Sequence, residues 1–244
     1  MHTPSTRALL DVLDRCAGRP SSEQALDLLM LTSPDADPDA LRSLAVGERD
    51  RRLAMLRGDL FGPACDTVVD CPACHETLEF EMDCRLLFDM PAPDSPPPPV
   101  SAAGYEVRFR LPTSDDLLAV ARSSEPGAAR ARLLQRCIEQ ARTPAGESVD
   151  AARLPDAVGA AVEAAMEKAD PGANPTLLLD CPNCGHRWKS PFDILAYFLR
   201  ELNDWARQIL WDVHALARAY GWSEHDILAM SPWRRRVYLE MLET

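Results

Sequence analysis

The stretches TVVDCPACHETLEFEMD, at Thr67–Asp83, and TLLLDCPNCGHRWKSPFD, at Thr176–Asp193, repeat one pattern. Each has a β-type run ending in Asp, a Cys-Pro-x-Cys pair, a polar turn and a second β-type run. Two residues between paired cysteines let both sulfur atoms reach one metal ion. Four thiolates from two such turns predict a tetrahedral zinc ribbon. The predicted zinc ligands are Cys71, Cys74, Cys181 and Cys184.

The two halves of this ribbon are far apart in the chain. Ordinary ribbons have about 15–20 residues between the two cysteine pairs, whereas Cys74 and Cys181 are 107 positions apart. We therefore predict that a segment of roughly domain size is inserted within one metal module, and that the metal holds both ends of the insertion together. The predicted regions are N-terminal helices (1–62), the split ribbon (63–84 and 176–193), an inserted strand-helix segment (85–175) and C-terminal helices (194–244).

A Cys-x-x-Cys pair has uses other than structural zinc. In thioredoxin-like oxidoreductases it forms a dithiol centre between a strand and a helix. Here Leu78, Phe80 and Met82 alternate with acidic residues after the first pair, which indicates a strand instead. The pattern favours structural zinc. A dithiol oxidoreductase and two buried cysteine pairs without metal are the alternatives.

Further cysteines and histidines lie near the two turns. The candidate additional ligands are Cys65, Cys84, His75 and His186. The first turn has His75 where the second has Gly185, and glycine adopts the left-handed conformation of such turns more readily. Cys16 and Cys137 lie on helical patterns, so we expect them to be core thiols.

The composition is that of a globular protein in a reducing compartment. Of the 244 residues, 46% are hydrophobic, which is enough for a sizeable core. The sequence contains no run of about 18 apolar residues, so no membrane span is predicted. The N-terminus does not resemble a signal peptide. Zinc-type cysteine pairs rather than a disulfide framework favour the cytoplasm.

The net charge of −12 bears on the class of partner. Zinc ribbons are common in nucleic-acid-binding proteins, but a surface this acidic repels phosphates. A nucleic-acid-binding zinc-ribbon protein is therefore an alternative that the charge disfavours. The one basic cluster, Arg234–Arg236, lies on a predicted short helix, and we expect it to be solvated or to face a protein.

The periodicity of the apolar residues predicts a mostly helical α+β fold. Alternation over Tyr105–Leu111 indicates a strand, and Thr113 or Ser114 caps the helix that follows. The six prolines of Pro91–Pro99 predict a polyproline-type spacer. The principal helices are predicted over 5–16, 22–31, 46–61, 128–142 and 155–169.

A long C-terminal helix is predicted between Pro191 and Gly221 because apolar residues recur there at steps of three and four. This seam comprises Leu195, Phe198, Leu202, Trp205, Ile209, Val213, Leu216 and Tyr220. A second apolar set lies off the seam: Tyr197, Leu199, Leu210 and Trp211. A helix that is apolar on more than one side is buried on more than one side, so we expect it to meet a partner chain as well.

Motifs of the common enzyme classes are absent from the sequence. It contains no glycine-rich phosphate loop, no GxSxG and no HExxH. A four-thiolate zinc site is closed to water, so it is structural rather than catalytic. We expect the protein not to be an enzyme.

Several longer motifs carry a resemblance to a known family. They are RRLAMLRGDLFG at 51–62, the two CPxC turns, YEVRFRLPTSDDL at 105–117 and VHALARAYGWSEHDILAMSPWRRRVYLEML at 213–242. Together they resemble the phage-type baseplate proteins of contractile injection systems, which are described as similar to T4-type baseplate hub assembly chaperones. The resemblance covers roughly residues 22–243.

This resemblance implies a function in assembly. The implied partners are other baseplate, hub or spike proteins of a tail-like particle, and neither catalysis nor nucleic-acid binding is implied. It leaves open whether the protein stays in the finished particle or acts only while the baseplate forms.

Overall fold

The computed structural model describes residues 4–121, 123 and 125–242. The chain begins with four helices, α1 (Thr6–Cys16), α2 (Ser21–Thr32), α3 (Pro38–Arg42) and α4 (Val46–Phe61). Their buried leucines pack around Phe198 and Leu202 of a long helix near the C-terminus. The helices predicted over 5–16, 22–31 and 46–61 agree with these bounds to within one residue.

Two β-hairpins follow the repeated sequence pattern. The first consists of β1 (Ala64–Asp70) and β2 (Thr77–Asp83), and a single helical turn, α5 (Arg85–Phe88), follows it. The strands of each hairpin are antiparallel. In the first hairpin, Asp70 pairs with Thr77 next to the turn. The second hairpin lies more than ninety residues further along the chain.

The segment between the hairpins forms a three-stranded antiparallel sheet covered by helices. Its strands are β3 (Val100–Ala102), β4 (Tyr105–Phe109) and β5 (Ile138–Arg142), with β4 in the centre. Its helices are α6 (Ser114–Val120), α7 (Pro126–Cys137) and α8 (Asp156–Ala169). Val107 and Phe109 pack against Val158 and Val162 in a separate small core.

The prediction of a helix over 128–142 is wrong for its last five residues. It ends at Cys137, and Ile138–Arg142 form strand β5. These residues pair with β4, Ala141 opposite Val107. The free edge of β4 and burial of Ala141 in the small core outweigh local helical propensity, which is a weak preference.

The second hairpin consists of β6 (Thr176–Asp180) and β7 (Arg187–Pro191), and it leads into α9 (Ile194–Tyr220). The Asp193 carboxylate accepts a hydrogen bond from the Ala196 amide at 2.9 Å and so caps α9. The helix therefore begins three residues after Pro191. It ends at Gly221, whose φ of 69° is left-handed.

The chain finishes with α10 (Glu224–Leu228) and α11 (Pro232–Glu240) packed on the second half of α9. Arg235, expected to be solvated or to face a partner, is buried, and its Nε lies 3.6 Å from an Asp212 carboxylate oxygen of α9. Its neighbours Arg234 and Arg236 are exposed. One arginine of the basic cluster therefore holds α11 on α9.

Helix α4 joins the inserted segment to the rest of the protein. The Val46 amide donates to the Pro112 carbonyl at 3.0 Å, and the Gly47 amide donates to the Asp170 carboxylate at 2.9 Å. Both contacts satisfy amides that the first turn of a helix leaves free.

The predicted fold class, mostly helical α+β with short antiparallel strands and a long C-terminal helix, is confirmed. In the described part of the chain, no helix is long and apolar enough to span a membrane.

Candidate metal centre

The two Cys-Pro-x-Cys turns have the same backbone hydrogen bonds. In the first turn the Cys71 amide donates to the Glu76 carbonyl at 2.8 Å, and the His75 amide donates to the Cys71 carbonyl at 2.9 Å. In the second turn the equivalent bonds, from Cys181 and Gly185, are both 2.9 Å. The sequence repeat is therefore a structural repeat.

The residue after each second cysteine is left-handed. Gly185 has φ of 72° and His75 has φ of 59°. Glycine adopts this conformation without steric cost, and histidine is among the residues that tolerate it. The substitution of His75 for glycine thus leaves the first turn in the same form as the second.

The two turns bring their four sulfur atoms together. The Sγ atoms of Cys71 and Cys184 are 3.7 Å apart, and those of Cys74 and Cys181 are 3.6 Å apart. All four lie within 4.8 Å of one another. Sulfur atoms tetrahedrally placed at about 2.3 Å from zinc are about 3.8 Å apart, whereas a disulfide requires about 2.05 Å. The four cysteines therefore fit a metal ion rather than two disulfides.

The electrostatics of the cluster also favour a cation. Burial raises the pKa of Cys71, but hydrogen bonds from the Cys74 and Ala73 backbone amides lower it by more. The resulting pKa is about 7. For Cys184, the His186 amide lowers the pKa, but the neighbouring thiols and burial raise it to about 12. Four thiolates this close repel one another unless a positive ion lies between them.

Exposure differs among the four clustered cysteines. Cys71 and Cys181, the first cysteine of each turn, are buried, whereas Cys74 is half-buried and Cys184 is exposed. The side chain of Asn183 lies across the cluster, and its Nδ2 is 3.7 Å from the Cys74 sulfur atom. The side-chain amide of the second turn thus donates to a cysteine sulfur atom of the first turn. The sequence carried no signal for this contact, because the Cys-Pro-x-Cys motif specifies no residue between its proline and its second cysteine.

The other candidate ligands lie elsewhere. Cys65 and Cys84 are fully buried in an apolar cluster with Met82 and Ile194, and burial raises the pKa of Cys65 to about 12. His186 stacks on Trp188. In the described residues, the group of side chains close enough to hold a metal contains neither these cysteines nor a histidine.

Cys16 and Cys137 are buried, as expected of core thiols. Burial is the largest cause of the rise in their pKa values, to about 11 in both cases. Among the described residues, neither of these two cysteines belongs to the group of side chains close enough to hold a metal ion.

Comparison with known proteins gives one family. A family model described as "T4 bacteriophage base plate protein" matches residues 8–200, which include all four clustered cysteines. The match ends at Arg200, so the motif at 213–242 lies beyond it. A search of curated proteins gave no match, and a search of solved structures gave none. The matched segment spans more than three quarters of the chain, and the protein therefore belongs to the T4 bacteriophage base plate protein family.

Proposed function

We propose that this protein is a non-enzymatic baseplate or hub component, or an assembly factor, of a phage tail-like contractile injection particle, and that one structural zinc ion fixes its fold. The family match carries the baseplate part of this proposal. The convergence of Cys71, Cys74, Cys181 and Cys184 carries the zinc part. Under this proposal the chain is made in the cytoplasm and joins other baseplate, hub or spike proteins there.

Zinc is the metal that best suits four thiolates in a tetrahedral arrangement. When bound, it supplies folding free energy, on the order of 10 kcal/mol in zinc-finger peptides. Its ligands come from both sides of the inserted segment, so the ion holds the ends of β1–β2 and β6–β7 against each other. A site with four protein ligands has no open position for water, which supports a structural function over a catalytic one.

The two alternative functions are less consistent with the molecule. A dithiol oxidoreductase needs one reactive pair with access to substrate, whereas both pairs here meet in a single cluster. A nucleic-acid-binding ribbon needs a basic surface, and the chain has a net charge of −12.

Metal analysis tests the zinc part. We expect one equivalent of zinc per chain by elemental mass spectrometry, and its loss together with solubility in Cys181→Ser. Cys16→Ala removes a buried thiol outside the cluster and should keep the full equivalent. Retention of tightly bound zinc by Cys181→Ser would contradict the four-thiolate site.

Mass spectrometry of purified, sheathed particles and of the soluble pool tests the assembly part. A fixed ratio to the other baseplate proteins identifies a structural component. Absence from particles, combined with loss of particles on deletion of the gene, identifies an assembly factor. If the chain is absent and its deletion changes nothing, the proposed function is wrong.

A further inference from the structure

The outer side of the second half of α9 carries an exposed apolar patch. Trp211 is 67% exposed and Leu210 is 50% exposed, and with Arg207 and His214 they line a shallow depression. We call these four residues the α9 patch. They are spaced i, i+3, i+4 and i+7, so they form one stripe along the helix.

The α9 patch lies on a rigid support. The opposite side of the helix is the buried seam, with Ile209, Val213 and Leu216 in the core. The Trp211 ring meets the His214 ring edge-on, with centroids 5.9 Å apart. A large aromatic side chain held on an ordered helix loses little conformational freedom on binding, and Trp and Arg are the residues most often found at energetic centres of interfaces.

The charge around the α9 patch differs from that of the rest of the chain. Residues 207–244 contain five arginines and five carboxylates, so the whole net charge of −12 falls on residues 1–206. Arg207 lies at the patch, and its Nη1 atom is 3.4 Å from a carboxylate oxygen of exposed Asp204. Arg218 is exposed one turn beyond His214. Two exposed arginines, Arg207 and Arg218, and one exposed carboxylate, Asp204, thus lie beside the apolar surface. The balance is positive and complements carboxylates.

The size of the α9 patch argues against a stable dimer of this chain through it. A stable interface buries about 800 Å² on each partner, and one tryptophan buries at most about 250 Å². A symmetric contact centred on Trp211 would also bring the arginines of two copies together. A small apolar patch with cations beside it instead suits a helical segment of a different protein, held by further contacts in an assembly.

We propose that the α9 patch docks an amphipathic helix of another baseplate protein. A large apolar side chain of that helix packs beside Trp211, and its Asp or Glu residues face Arg207. This inference rests on the proposed assembly function and adds where the partner binds and what chemistry it presents. The patch lies beyond residue 200, where the family match ends.

Site-specific photo-crosslinking in particle-producing cells tests the partner. With p-benzoylphenylalanine in place of Trp211, we expect an adduct to an acidic helical segment of another baseplate protein, identified by mass spectrometry. Adding Arg207→Glu should lower the adduct yield at least fivefold, and Arg207→Lys should retain it. An adduct to a second copy of this chain, no adduct to a baseplate protein, or a yield insensitive to Arg207→Glu would overturn the proposal.

Complementation of a gene deletion separates this inference from the proposed function. Trp211→Ala should lower particle yield at least tenfold while the melting temperature is unchanged, because the side chain is largely exposed. Leu178→Ala, which removes an 80% exposed apolar side chain from β6, should restore full yield. Full yield with Trp211→Ala would overturn the docking site alone, whereas full yield from the deletion itself would overturn the proposed function.

Discussion

Arg57 of α4 and Glu201 of α9 form a two-point ion pair across 144 positions of sequence. The guanidinium Nε and Nη2 atoms donate to the two carboxylate oxygens at 2.7 and 2.6 Å. Arg57 is 2% exposed, and its Nη1 donates to the Gly62 carbonyl at 2.7 Å. It also lies over the Tyr197 ring, 5.6 Å from the centroid. One side chain thus links α4, α9 and the entry to the first hairpin.

Glu201→Ala should lower the free energy of unfolding by about 3 kcal/mol, because it leaves the Arg57 charge buried without its partner. Denaturant unfolding followed by circular dichroism measures this. The control is Glu163→Ala, which breaks the exposed ion pair with Arg130 and should leave the midpoint nearly unchanged. Equal midpoints for the two variants would show that the buried pair does not join the helices.

Gly47→Ala should destabilise the protein by about 3 kcal/mol through steric overlap. A Cβ atom at Gly47 would lie 1.8 Å from an Asp170 carboxylate oxygen and 2.8 Å from the Ala173 amide nitrogen. Asp170 is buried and bonded to the Gly47 amide, so it cannot move away without losing that bond.

Thermal unfolding checks this, with Gly127→Ala in α7 as the matched helical control. Apart from its chain neighbours and the backbone of its own helix, no atom of the described residues lies within 4 Å of a Cβ at Gly127. That variant should therefore be as stable as the parent or slightly more stable. If the Gly47→Ala variant has the same melting temperature as the parent, the contact between α4 and the turn at Asp170 is loose.

Much of the fold was predictable because its signals are local. The Cys-Pro-x-Cys turns, the alternation in β2 and β4 and the seam of α9 each depend on residues within a few positions of one another. The end of α7 was not predictable in this way. Leu134, Cys137 and Ile138 continue a helical spacing, and only the distant strand β4 makes Ile138 extended.

The charged contacts were the least predictable part. Periodicity shows which face of α4 is apolar, but it does not show that Arg57 turns inward to meet a carboxylate on α9. The same holds for Arg235 and Asp212. The spacing predicted that the four cysteines would lie together, whereas the Asn183 contact depends on how the two turns face each other.

Asp116→Asn should destabilise the protein by about 2 kcal/mol at neutral pH, because it weakens hydrogen bonds to a buried charged group. Asp116 is fully buried and accepts hydrogen bonds from Arg110 and Arg136 at 2.9 and 2.8 Å. It also completes the capping box of α6 with Thr113. Asp115→Asn is the control, because Asp115 is exposed and its ion pair with Arg42 is long, at 3.4 Å.

The effect of Asp116 depends on pH in a defined direction. Burial alone would raise the pKa of Asp116, but the hydrogen bonds from Arg110, Thr113 and Arg136 hold it well below the ordinary value of 3.8. The stabilisation is therefore fully present above about pH 4 and is lost as the pH falls below it. The difference in unfolding free energy between parent and Asp116→Asn should be constant from pH 5 to 8 and shrink below pH 4. A constant difference down to pH 2 would contradict the lowered pKa.

Asn183→Ala should weaken zinc binding about tenfold, the smaller end of the effect of removing a hydrogen bond to a metal ligand. The Asn183 amide donates to the Cys74 sulfur atom and so both stabilises a thiolate and holds the two turns in register. Competition with a chromophoric chelator at constant pH measures the affinity, and Asn174→Ala, an exposed asparagine before β6, provides the control. Because Asn183→Ala keeps all four sulfur ligands, it should still bind one equivalent of zinc. Unchanged affinity would mean that the four thiolates alone hold the halves together, and complete loss of zinc would mean that Asn183 is needed to form the site.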